Sequence, residues 1–185
     1  MRLILSSFVF CILSSMLNAQ IYLAKSSEIS FFSSTPMEDI QAVNKSAKPI
    51  LDVSTGDVQV KISIQGFVFP KPLMQEHFNE NYLESDKYPD AVYKGKINEK
   101  VDYTKDGVNK VNVTGKLKMH GVEKDLAFSG TVTVSGKQVT LDSKFKIHIA
   151  DYNIKVPSLV VKNIAEDVEV KMTAILEPYS PPTKK

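Results

Sequence analysis

From Gln20 onward, apolar and polar residues alternate with period two, the pattern of strands with one buried and one solvated face. Val58, Val60, Ile62 and Ile64 alternate with Gln59, Lys61, Ser63 and Gln65, and Val111, Val113, Leu117 and Met119 with Asn112, Thr114, Lys116 and Lys118. The period continues through Leu126, Phe128, Val132 and Val134, then Val139, Leu141, Phe145, Ile147 and Ile149, then Val168, Val170, Met172 and Leu176. Shorter runs at 29–33, 39–43 and 91–97 add strands. Turn chemistry separates them at Ser54-Thr55-Gly56-Asp57, Lys105-Asp106-Gly107, His120-Gly121 and Ser135-Gly136-Lys137, so neighbours in sequence are expected to pair antiparallel. Thr35-Pro36-Met37-Glu38 combines an N-cap, a first-turn proline and a capping-box glutamate, which predicts about one turn of helix.

One stretch leaves the period. Over residues 72–85, Met74, Phe78 and Tyr82 recur every four positions while Glu76, Glu80 and Glu84 mark another face, predicting a short amphipathic helix with a solvated acidic stripe. Tyr88-Pro89 then forces extended backbone. Eight to ten antiparallel strands with one helical insertion predict an all-β sandwich or barrel. Small residues at Gly95, Gly115, Gly130, Ser143 and Ala174 interrupt the apolar parity and favour an antiparallel barrel of about eight strands. Glycine lets a coiled strand bend, and missing side chains leave room for a lumen; the pattern is compatible with both.

Composition narrows the class. The 185 residues are 43% hydrophobic and 24% charged with a net charge of +2, which fits one globular domain and offers no field for nucleic acid. Arg2 followed by an uncharged apolar run at 3–17 and by Leu17-Asn18-Ala19 predicts a signal peptide over 1–19. The run is shorter than the ~18 residues of a spanning helix, so stable membrane insertion is not expected. Cleavage after Ala19 removes the single cysteine, Cys11. The barrel domain is then expected over 20–178, with a proline-rich tail at 179–185 too polar to be ordered.

Catalytic chemistry is sparse. His77, His120 and His148 have no metal-pair spacing, and no nucleophile elbow, P-loop or dinucleotide fingerprint occurs, so neither metal nor cofactor is expected. His120 and His148 read as surface or structural residues, and His77 as packing on a helix over a barrel end. Asn44-Lys45-Ser46 and Asn112-Val113-Thr114 match a glycosylation pattern that is frequent by chance. Lys116, Lys118, Lys144 and Lys146 share the outward parity of a solvated exterior.

Three segments together resemble the YceI-like family: Leu73-Met74-Gln75-Glu76-His77-Phe78 with Tyr82-Leu83-Glu84-Ser85-Asp86-Lys87-Tyr88-Pro89, then Gly115-Lys116-Leu117-Lys118-Met119-His120-Gly121-Val122, then Asp151-Tyr152-Asn153-Ile154. The resemblance implies a lipocalin-like antiparallel barrel exported to the periplasm that holds a polyisoprenoid or similar amphiphile. Where the family often carries arginine, this chain has Ile147-His148-Ile149-Ala150 and Met74-Gln75-Glu76, which points away from a pyrophosphate headgroup. The expected function is therefore a non-enzymatic periplasmic lipid-binding or carrier barrel. Inward parity nominates Val60, Ile62, Ile64, Val113, Leu117, Phe128, Val132, Leu141, Phe145 and Met172 as lining, with Phe67, Phe69, Met74, Phe78 and Tyr82 at the mouth or lid. The alternatives are a filled protein-interaction or stress-response barrel and a hydrolase using His77, and a homodimer is left open.

Overall fold

The computed structural model describes residues 20–156 and 164–180; the expected signal peptide, residues 1–19, lies outside them, as do residues 181–185 of the expected tail. Among the described residues ten strands form one sheet: β1 (Ile21–Ser34), β2 (Asp39–Asn44), β3 (Lys48–Asp52), β4 (Asp57–Ser63), β5 (Phe67–Val68), β6 (Asp90–Ile97), β7 (Gly107–Met119), β8 (Val122–Ser135), β9 (Gln138–His148) and β10 (Asp167–Pro178). Pairing runs β10-β9-β8-β7-β6-β4-β3-β1, and β10 returns to pair with β1, so eight strands close an antiparallel barrel.

The first strand is longer than periodicity predicts. β1 has 14 residues, interrupted by an irregularity between Ala24 and Ser26 that shifts its register against β10. Along its other edge, Ile21 to Leu23 pair with β3 and Ile29 to Ser34 with β2, so β2 and β3 lie end to end beside one strand. The break between them is held by polar groups. The Ser27 hydroxyl donates to the Ala47 carbonyl at 2.6 Å, and the Asn44 amide, wholly buried, donates to the Ser63 carbonyl at 2.8 Å. Residues 35–38 are a hairpin turn and not a turn of helix: the Thr35 hydroxyl accepts from the Met37 and Glu38 N–H groups, and Glu38 leads at once into β2.

The helical insertion forms as expected, with α1 (Pro72–His77) running into one wide π-type turn at Phe78–Tyr82. It contains no fully buried residue. The acidic stripe does not continue through Glu84, which leaves the helix with φ 44° and turns toward the β7–β8 hairpin.

The antiparallel course sorts the connections. The β3–β4, β6–β7 and β8–β9 turns lie at one end, and the β1–β2, β5–β6, β7–β8 and β9–β10 connections at the other. Near the first end Leu51, Val132, Val134, Val139 and Leu176 are 0–2% exposed, so the barrel there is solid. Near the second, Phe31, Ile40, Phe78, Ile147, Ile149 and Val170 are only partly buried.

Candidate functional site

The filled end and the looser end define a one-ended lumen. Its cavity measures about 310 Å³ and is walled almost wholly by apolar side chains. β4 contributes Val60 and Ile62, followed by Ile64; β7 contributes Val113 and Leu117; β8 contributes Phe128 and Val132; β9 contributes Leu141 and Phe145; and β10 contributes Met172. Phe67, Phe69, Met74, Phe78 and Tyr82 close over the mouth. The structure thus places all fifteen nominated residues on the cavity wall. Ile29 and Phe31 belong there too and escaped the nomination, because the polar run Lys25-Ser26-Ser27-Glu28 hides the inward parity of β1; Ile40 joins them from β2.

The roof is aromatic. Phe78 stacks on Phe31 with ring centroids 5.5 Å apart and meets Phe67 at 5.6 Å and Phe69 at 5.0 Å. Such ring pairs add roughly 0.5–1.5 kcal/mol each beyond area burial. The helical insertion is therefore seated through one well-packed ring, with Met74 and Tyr82 beside it, and little else. Deeper in the wall, Phe128 stacks on Phe145 at 4.5 Å.

The small residues divide between the two readings of them. Gly95 and Gly115 are register partners, and the Tyr93 ring lies across both, with its hydroxyl 2.6 Å and 2.8 Å from the places their Cβ atoms would occupy. That pair admits an aromatic ring and adds no lumen, correcting the expectation for those two positions. Burial pushes the Tyr93 phenol up to about 12, keeping it a neutral donor to the Leu126 carbonyl at 3.2 Å. Ala174 is packed solid at 1% exposure. Gly130 and its partner Ser143 do border the cavity, and the Ser143 hydroxyl is buried without a hydrogen-bond partner among the described residues.

Charged groups are peripheral. Glu38 stands at the rim, where Lys71 reaches it at 3.2 Å. Asp142 contributes to the wall where Gly130 and Ser143 leave it thin, and its carboxylate accepts from Thr173 at 2.7 Å. His77 is exposed on α1 at the mouth, and among the described residues no carboxylate pairs with it. Those residues also hold no cluster of three or more His, Cys, Asp or Glu side chains able to bind a metal ion. The Asn44 and Asn112 amides of the two glycosylation patterns are engaged, Asn44 with Ser63 and Asn112 with Glu99.

The second feature of the mouth end is a knot of side chains around His120. Its ring is nearly buried, with its side chain 9% exposed. Nδ1 lies 2.9 Å from the Tyr152 carbonyl and Nε2 lies 2.8 Å from a Glu84 carboxylate oxygen. Both neighbours are acceptor oxygens, so the ring is held from two sides. Tyr88 meets its edge at 4.7 Å. Among the described residues the three non-glycine residues with positive φ, Glu84, His120 and Asn153, all fall in or beside this knot. Such backbone costs of order 1–3 kcal/mol per residue and persists where the surroundings over-determine it. Sequence alone left His120 as a turn residue because its partners are 32 and 36 positions away.

Together these features define the class: an all-β, lipocalin-like antiparallel barrel with an apolar lumen and one short helical segment beside its mouth. The YceI-like domain model matches residues 23–176, and the chain belongs to that family. Among curated proteins no relative matches. Solved structures share the fold. The polyisoprenoid binding domain from Saccharophagus degradans, implicated in plant cell wall breakdown, aligns with a TM-score of 0.73 at 17% identity, over 87% of this chain and 99% of its own. Burkholderia cenocepacia BcnA aligns at 0.68 and 22% identity, over 80% and 95%. A Campylobacter jejuni YCEI protein aligns at 0.56 and 19%, over 73% and 81%.

Proposed function

We propose that the barrel is an exported binding protein that holds an isoprenoid or similar amphiphilic lipid in its lumen and carries it through the periplasm. One observation carries the reading: an apolar cavity of about 310 Å³, closed at one end and roofed at the other by a lid seated on phenylalanines. A hydrocarbon tail needs no polar partner there, because burial alone contributes ~25 cal/mol per Å² of apolar surface. Family membership and the polyisoprenoid-binding relative support the lipid class. The fifteen wall and mouth residues are the proposed ligand contacts. The sequence contains a single arginine, Arg2, so the barrel has no guanidinium to grip a pyrophosphate bidentately, which argues against that headgroup.

Native mass spectrometry of the purified protein, with lipid extraction, tests this. A lipid adduct on the wild type supports it. In Ser143→Leu the new side chain enters the lumen and removes the orphan hydroxyl, so the adduct should be lost while the fold is kept. A folded wild type with no adduct and no uptake of a geranylgeraniol probe would leave the filled protein-interaction barrel as the better reading.

A further inference from the structure

The lumen opens through a rim whose outermost side chains are apolar. Met37 is 68% exposed at the tip of the β1–β2 hairpin, and Leu73 is 60% exposed on the first turn of α1. Each is the sequence neighbour of a residue that lines the cavity, Glu38 in one case and Met74 in the other. The Lys71–Glu38 ion pair, at 3.2 Å, ties the two elements together across the rim. Val68, 65% exposed on β5 where it pairs with Val43 of β2, is a third exposed apolar side chain, on the strand that leads toward α1.

The Met37 tip is rigid. The Thr35 hydroxyl accepts the Met37 and Glu38 N–H groups and the Thr35 N–H donates to the Glu38 carbonyl, fixing the backbone while the methionine side chain projects. Ordering these groups at an interface would therefore sacrifice little conformational freedom. Among the described residues two other large apolar side chains are more than half exposed, Val108 and Tyr179, and both stand at the filled end, away from the mouth.

We infer that this rim, led by Met37 and Leu73, docks on the surface of a neutral lipid bilayer so that a lipid passes between membrane and lumen without crossing water. The inference rests on the proposed lipid-carrier reading. The mouth is where a water-insoluble ligand must enter, and apolar side chains bordering it insert at the headgroup boundary in proportion to their area. Lys71 at the rim is bridged to Glu38, and exposed Lys155, between the cavity-lining Ile154 and Val156, adds a smaller electrostatic contribution, so the apolar side chains drive docking and salt should weaken it only modestly.

The test uses the full mature chain and phosphatidylcholine vesicles carrying a dansyl-labelled geranylgeranyl probe. Met37→Glu combined with Leu73→Glu should slow vesicle-to-protein transfer tenfold or more, while uptake of the probe diluted from ethanol stays at the wild-type level. Val108→Glu, at the opposite end, should leave both unchanged. Equal transfer by the wild type and the double variant would overturn the inference, as would a vesicle-independent dimer, seen by sedimentation, that the double variant abolishes. Failure of the carrier reading has its own signature, no uptake from ethanol by the wild type. Docking is then decided by co-flotation with plain vesicles, which supports it when lost in the double variant and overturns it when absent from the wild type.

Discussion

The Nε2 atom of His120 stands 2.8 Å from a carboxylate oxygen of Glu84, joining the tip of the β7–β8 hairpin to the end of the lid. Through its other nitrogen the same ring holds the Tyr152 carbonyl. The three segments that carry the family resemblance are far apart in the chain and meet at this one ring.

Replacing His120 with alanine leaves the Tyr152 carbonyl without its donor and frees Glu84, which is half exposed and partly rehydrated. The expected loss is about 1–2 kcal/mol in urea unfolding, with faster hydrogen exchange at the Lys87 and Tyr88 amides. A loss below ~0.5 kcal/mol, the range of ordinary surface substitutions, would show that the turn backbone holds the junction without the ring.

Gly115→Ala drives a Cβ into the Lys94 carbonyl and the Gly95 Cα, neither of which can swing aside as a side chain can. Overpacking of this kind costs about 1–3 kcal/mol. Tyr93→Phe removes only the hydrogen bond to the Leu126 carbonyl, worth about 0.5–1.5 kcal/mol. Chemical denaturation of the two variants should therefore rank glycine above tyrosine, and the opposite order would mean that the wall flexes at this pair.

The lid should tighten on loading. It buries no residue completely and is seated chiefly through Phe78, so it belongs to the low-stability end of the molecule. A hydrocarbon tail beneath Phe78 and Tyr82 adds surface to pack against. Amides from Met74 to Tyr82 should exchange more slowly in lipid-loaded than in delipidated protein; identical rates would make the segment ordinary core.

His148 and Asp167 are register partners on β9 and β10, with Nδ1 2.9 Å from the carboxylate. That hydrogen bond raises the imidazole above its ordinary 6.5. Because the folded value is the higher one, the pair's contribution is complete below 6.5 and is lost as pH rises through the folded value. The pair is solvent-exposed, so the effect is small. The melting-temperature difference between wild type and Asp167→Asn should shrink as the buffer is taken from mildly acidic to mildly alkaline, and a constant difference would assign it to another cause.

Strands whose inward and outward positions differ sharply, β4 and β7 to β10, could be read directly, because a period of two decides which face a residue takes. That is also why the nominated residues fall on one wall. β3 went unread because a buried proline, Pro49, and an exposed Ile50 invert the usual pattern. β1 was only partly visible, since Ser27 occupies an inward position and satisfies its hydroxyl on Ala47. The glycine pair under Tyr93 and the knot around His120 depend on which strands become neighbours. No local pattern encodes that.

The seam between β1 and β10 sets the order in which the molecule can be made. Tyr22 is paired with Pro178, and ten such partners run down the seam, joining the two extremities of the described chain. Contacts of that sequence separation form late, since the loop between them must be closed before they contribute. Until β10 arrives, β1 and β9 each present a bare edge and the apolar wall has no inside. The container for the lipid is thus completed by the last strand, and a chain halted before residue 167 would expose an open, adhesive sheet.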